Sequence, residues 1–161
     1  MSAEASADDR RRKRRLAVSV RESMRELSIQ LALLNHQVGQ RLDMRDVDLD
    51  CLDLISRHGP LGASALARLA GLHPATMTGV LDRLEKGGWI VRERSPEDRR
   101  AIVVRAAKER GAEIYQLYSG MNGSMEELLG GYSETELSVI ADFLARARDA
   151  GVTATDELAR D

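Results

Sequence analysis

Apolar residues recur at steps of three and four through Val20, Met24, Leu27, Leu31, Leu34, Val38 and Leu42, with polar and charged residues between them. That period predicts one long amphipathic helix over residues 16–45. A second helix is expected from Asp46 or Asp48 as its cap through His58, with Leu52 and Ile55 on its buried side. Leu66, Leu69 and Ala70 mark a short third helix, which Gly71-Leu72-His73 interrupts. Pro74 suits the first position of a fourth helix, where a missing amide donor is harmless, and Gly87-Gly88 ends it. The pattern then turns strand-like. Trp89-Ile90-Val91 and Ala101-Ile102-Val103-Val104 form two apolar runs around a Ser95-Pro96-Glu97-Asp98 turn. Helix is expected again from Ala107 to Leu129, weakened by Gly111, Gly120 and Gly123. Ser133 with Glu136 has capping-box spacing and opens a last helix through Ala150.

Two short helices, a glycine stop and a basic hairpin in immediate succession have the layout of a winged helix-turn-helix. The expected fold is therefore mainly α with a small β wing. Stepping about a hundred degrees per residue along the fourth helix puts Met77, Val80, Leu81 and Leu84 on one buried stripe. Ala75, Gly79, Asp82 and Lys86 point the other way, flanked by Thr76, Thr78 and Arg83. A face this small can settle into a DNA major groove, where Thr donates to base edges or phosphates and Ala meets a thymine methyl. Arg83 and Lys86 would then neutralise phosphates. An Asp82–Lys86 pair on a merely solvated helix explains the same residues equally well. The hairpin tips the balance, because Arg92, Arg94, Arg99 and Arg100 surround its turn. Arginine on such a ribbon can enter a minor groove, with Asp98 fixing the direction of a guanidinium.

The run LDRLEKGGWIVRERSPEDRR resembles, almost position by position, the recognition-helix end, strand and wing of the MarR (multiple antibiotic resistance regulator) family. A looser likeness extends from Leu27 to Phe143. The resemblance implies a DNA-binding transcriptional regulator, a repressor, that holds a palindromic operator as a homodimer and is released by a small-molecule effector. It implies base or phosphate contacts from Ala75, Thr76, Thr78 and Gly79, a backbone contact from Arg83, and a wing tip at Arg100 supported by Asp98. With Lys86, Arg94, Ser95 and Arg99, these make up the candidate DNA-binding set. Gly79 departs from the long polar or basic side chain of many relatives, and Ser95 replaces a common aspartate. Gly62 and Ala106-Ala107-Lys108 lack the hydroxyl that usually caps the helices starting there.

The helices at both ends are longer and more apolar than a small winged helix needs. Interlocked with those of a second copy, they would hold two recognition helices about one DNA turn (~34 Å) apart; folded back, they would cover their own subunit. The expected organisation is a basic disordered arm at 1–15, a dimerisation helix at 16–45, a DNA-binding lobe at 46–106 and C-terminal dimerisation helices at 107–161. The block Arg10 to Arg15 reads as a phosphate-tracking arm or as a solvated tail, the latter slightly favoured.

Composition fits one helix-rich domain: 161 residues, 43% hydrophobic but only 3% aromatic. The net charge of −2 hides polarity. Residues 60–105 hold eight Lys/Arg against five Asp/Glu, and residues 106–161 hold five against eleven. A basic middle orients an acidic protein toward a polyanion. One cysteine, Cys51, excludes an internal disulfide, and its place in the second helix reads as inert packing. His36, His58 and His73 lack metal-ligand spacing. No cofactor and no membrane span are expected, and a cytoplasmic location fits. No catalytic Ser-His-Asp order or phosphate-binding glycine loop appears, so an enzyme is disfavoured. For an aromatic effector the candidates are His36, Gln40, Tyr115 and Tyr118, although core or surface placement is the commoner fate of such residues. The contending reading is a winged-helix protein-interaction or architectural nucleoid module with weak, sequence-indifferent DNA binding.

Overall fold

The computed structural model describes residues 2–98 and 100–159. The chain divides into two compact units, residues 1–49 and residues 50–161.

The first unit is dominated by α1, Ser2–Arg41. No break separates the basic block from the amphipathic stretch, which corrects the expected disordered arm at 1–15. The reason is compositional: residues 2–38 contain neither Gly nor Pro, and the Arg, Lys, Glu and Ala among them favour helix. The helix ends where Met44 donates its amide to the Gly39 carbonyl at 2.9 Å and Asp43 turns into the left-handed region at φ 53. A Cβ on Gly39 would stand 3.1 Å from the Met44 carbonyl oxygen, so glycine lets this turn close. The next helix, α2 (Asp46–His58), includes Asp46 as its first residue rather than as its cap. Asp46 and Asp48 lie in its first turn, where carboxylates oppose the helix dipole.

The second unit carries the winged helix. After α2 come α3 (Ala63–Leu69) and α4 (Pro74–Lys86), then strands β1 (Ile90–Arg94) and β2 (Ile102–Ala106). The strands pair antiparallel with Arg92 opposite Val104, and Leu61 bridges Val104 through two backbone hydrogen bonds. Leu66, Ala67, Met77, Val80, Leu81, Leu84, Trp89, Ile90 and Val104 are all buried. The predicted stripe of α4 is thus complete, whereas Leu69 of α3 is 52% exposed and its neighbour Ala67 is buried in its stead. Cys51 is wholly buried. A 3-10 turn at Lys108–Arg110 precedes α5 (Gly111–Gly130), so regular helix begins later than Ala107. The last helix, α6 (Glu134–Leu158), runs past Ala150, and the hydroxyls of Thr153 and Thr155 donate back to the carbonyls of Asp149 and Gly151. Its capping box is formed: Ser133 Oγ accepts from the Glu136 amide, and the Glu136 carboxylate accepts from the Ser133 amide at 2.8 Å. Gly62 and Ala107 make no side-chain cap bond, as their residue types dictate. Among the described residues no helix is long and apolar enough to cross a membrane.

Candidate nucleic-acid interface

The start of α4 is set by His73 and Pro74. Proline occupies the first turn, and the imidazole Nδ1 of His73 accepts from the Ala75 amide at 3.3 Å. Histidine is an unusual cap. It satisfies one otherwise orphaned donor at the helix start, in the manner of the commoner Ser or Asp. The sequence pattern placed His73 in a turn and not as a cap, although its position just before Pro74 was the available signal.

Beyond the cap, Ala75, Thr76 and Thr78 are exposed, as is Lys86 in the last turn, while Gly79 and Arg83 are half-buried. The Thr78 hydroxyl donates to the Pro74 carbonyl at 3.1 Å. Its proton is engaged within the helix, so Thr78 offers outward a methyl group and an acceptor rather than the expected donor. A Cβ on Gly79 would lie 3.4 Å from Arg83 Nη1, which shows that the Arg83 side chain extends over the gap left by glycine.

Asp82 pairs across to the wing, where sequence alone matched it with Lys86. Arg92 Nη2 donates to Asp82 Oδ1 at 2.5 Å, and Arg92 Nε lies 3.3 Å from Glu85 Oε2. One guanidinium of β1 thereby faces both carboxylates of α4, lessening the repulsion they would present to a phosphate. Arg105 Nε donates to Glu93 at 3.0 Å diagonally across the two strands.

The wing turn is held by its own side chains. Ser95 Oγ accepts from the amides of Glu97 and Asp98 at 3.2 and 3.4 Å, and Asp98 Oδ1 accepts from the Arg100 amide at 2.9 Å. Backbone bonds from Ser95 to Ala101 and from Ala101 to Asp98 close it. Ser95 thus serves as a turn former. Asp98 acts on the main chain of Arg100, where its expected partner was a guanidinium. Arg94 and Arg100 are exposed on either side of the turn; Arg99 lies outside the described residues.

The effector candidates fall in both units. In the first, His36 Nδ1 lies 3.0 Å from both carboxylate oxygens of Asp46, and its Nε2 lies 3.0 Å from the Gln40 amide nitrogen. In the second, Tyr115 and Tyr118 are three residues apart on α5, the former 66% exposed. Burial, aided by the carboxylates of Asp53 and Asp50, pushes the Tyr118 phenol up, so it remains a protonated donor at neutral pH.

The MarR family profile matches residues 46–102, a span covering α2, α3, α4 and most of the hairpin. The helix-turn-helix transcriptional regulator YcgE of Bacillus subtilis is 32% identical over 125 residues, covering 78% of this chain and 81% of that protein. The transcriptional repressor YetL of the same organism is 29% identical over 84 residues, 52% of this chain and 50% of its own. Among solved structures, a variant of MepR from S. aureus matches with a TM-score of 0.67 at 17% identity, covering 79% of this chain and 93% of that one. Another MepR variant, bound to an oligodeoxyribonucleotide, matches at 0.53 with 19% identity, covering 79% and 94%.

Proposed function

The chain belongs to the MarR family of transcriptional regulators, and from that premise we propose that it represses transcription by binding a palindromic DNA site as a homodimer. In this reading α4 enters the major groove. Ala75, Thr76, Thr78 and Gly79 meet base edges and phosphates, and Arg83 and Lys86 meet the flanking backbone. Arg94, Ser95, Asp98, Arg99 and Arg100 form the wing that reaches the neighbouring minor groove. Residues 46–106 are the DNA-binding lobe, and residues 16–45 and 107–161 supply the dimer surfaces.

The observation that carries the reading is the outer face of α4. Ala75, Thr76 and Thr78 at its start are small and exposed, and Asp82 and Glu85, the carboxylates that would repel DNA, are both engaged by Arg92 of the wing. The repressor YetL and the DNA-bound MepR variant support the sign of regulation and the polyanionic partner. Dimerisation draws support from the large apolar side chains exposed on α1, α5 and α6, among them Leu27, Leu31, Leu128 and Phe143. Release by a small aromatic molecule would act by population shift, the effector favouring a dimer with the wrong half-site separation. His36, Gln40, Tyr115 and Tyr118 are the residues to probe for it.

The test is selection of bound sequences from random duplex DNA, followed by affinity at two salt concentrations. A palindromic consensus bound by two chains is the expected result. Arg100→Ala should weaken binding and, by removing one cation from the phosphates, reduce the slope of log affinity against log salt by roughly 0.9. Weak binding to every sequence would favour an architectural or protein-interaction module, and an Arg100→Ala variant with unchanged affinity would remove the wing from the interface.

A further inference from the structure

Arg110 ties the first turn of α5 to a stretch of chain more than twenty residues earlier. Its Nε and Nη2 donate to the two carboxylate oxygens of Glu113, at 2.9 and 2.7 Å, in the first turn of α5. Its Nη1 donates to the carbonyl of Gly87 at 2.6 Å, just past the end of α4. Its Cζ lies 3.5 Å from the centre of the Trp89 ring, at the root of the wing. Only a planar guanidinium can give one edge to a carboxylate, another donor to a carbonyl and its face to an indole. Lysine keeps the charge and loses the fork.

The backbone that this side chain grips has little freedom. Gly88 sits at φ +72, and a Cβ on Gly87 would stand 2.6 Å from Trp89 Cδ1. The Trp89 amide donates to the Leu84 carbonyl at 2.9 Å, and its carbonyl accepts from the Ala107 amide at 2.8 Å. The indole is buried at 5% exposure, so the end of α4, the start of β1 and the lead-in to α5 converge on one residue. The Arg110 fork also holds the Glu113 carboxyl below the usual carboxylate range, as expected of a charge-assisted pair.

We propose that Arg110 is a positioning residue for DNA recognition: it fastens the end of α4 and the root of the wing to the first turn of α5, so that α5 carries the recognition helix at a fixed angle. The proposal rests on the reading of α4 as the recognition helix. In a dimer joined through its terminal helices, that angle decides where the second α4 meets DNA and hence which half-site separation is preferred. Losing the clamp relaxes the preference while leaving the phosphate-attracting side chains in place.

The experiment uses the full chain and its variants Arg110→Lys, Arg110→Ala and Glu113→Gln. Affinity is measured on the selected operator, on operators with one base pair added or removed between half-sites, and on random-sequence duplex. Fluorescence of Trp89, the only tryptophan in the chain, monitors the clamp through its quenching by acrylamide. Arg110→Lys and Arg110→Ala should lose about tenfold on the operator, a loss of the size of one mismatched base pair. Their preference for the natural spacing should flatten, their binding to random duplex should stay within about twofold, and acrylamide should quench Trp89 more strongly. Glu113→Gln should fall between them and the natural chain. If Arg110→Ala does not fold, the lysine and glutamine variants decide the matter. Retention of the natural spacing preference by Arg110→Lys overturns the proposal, as does an equal loss on all DNA that follows a lowered melting temperature. A natural chain that discriminates neither sequence nor spacing would instead fail the regulator reading itself, taking the proposal with it.

Discussion

α4 and α6 are both amphipathic helices, yet among the described residues α4 buries its apolar stripe and α6 does not. Met77, Val80, Leu81 and Leu84 of α4 are at most 3% exposed, whereas Val139, Phe143 and Leu144 of α6 stand 66, 43 and 51% exposed. Among the described residues, no side chain of α5 or α6 is fully buried. Apolar area left in water forgoes roughly 25 cal/mol per Å². The difference fits two tasks: the winged helix holds itself together, and in the proposed dimer the C-terminal helices present the surface that a second copy covers.

The strongest challenge to that contrast is Leu84→Ala. Its side chain is 1% exposed, and deletion of a buried leucine costs about 2–5 kcal/mol, to be read from the denaturant midpoint. Next comes Phe143→Asp, which discriminates between a covered and a solvated α6. If a second copy covers Phe143, the variant should sediment as a monomer and lose about 2 kcal/mol or more of association energy. If water covers it, the stability change should stay within about 0.5 kcal/mol and the sedimentation should not move. Gly87→Ala tests the junction between α4 and the wing. The added Cβ must displace Trp89, a strain of about 1–3 kcal/mol visible in both the thermal midpoint and Trp89 emission.

The smallest effect belongs to the capping box. Ser133→Ala should cost about 1 kcal/mol of stability near neutral pH. The Ser133 hydroxyl, helped by its backbone amide, lowers the Glu136 pKa. A carboxyl whose folded pKa lies below its unfolded value stabilises fully above the unfolded value, and the contribution disappears as pH falls through the folded one. The difference between Ser133→Ala and the natural chain should therefore shrink on acidification through and below the usual glutamate range, as measured by urea titrations across pH.

The order of elements, the α4 stripe, the capping box and the wing turn were legible in the sequence because each depends on neighbours a few positions away. Periodicity placed Met77, Val80, Leu81 and Leu84, and the Ser133–Glu136 spacing placed its own hydrogen bonds. Pairings over longer separations were not legible. Asp82 has Lys86 four residues on, yet its partner is Arg92, brought close by the reversal at Gly87-Gly88. Arg110 lies 23 residues from the carbonyl it binds, and nothing in its own surroundings in sequence announces that bond. The expected arm at 1–15 failed for a different reason: a run of cations reads as a solvated tail, while its intrinsic helix preference and the absence of any breaker continue α1 to Ser2.

If α4 reads DNA as proposed, the bare Cα of Gly79 gives this protein room to acquire a new target. A side chain added there would meet only the movable end of Arg83, at ordinary contact distance, with no backbone in its way. Codon changes at this one position could therefore add a reading head to the helix without rebuilding its support. An operator preference inherited by many descendants could then diverge in single steps, each leaving the fold that presents it intact.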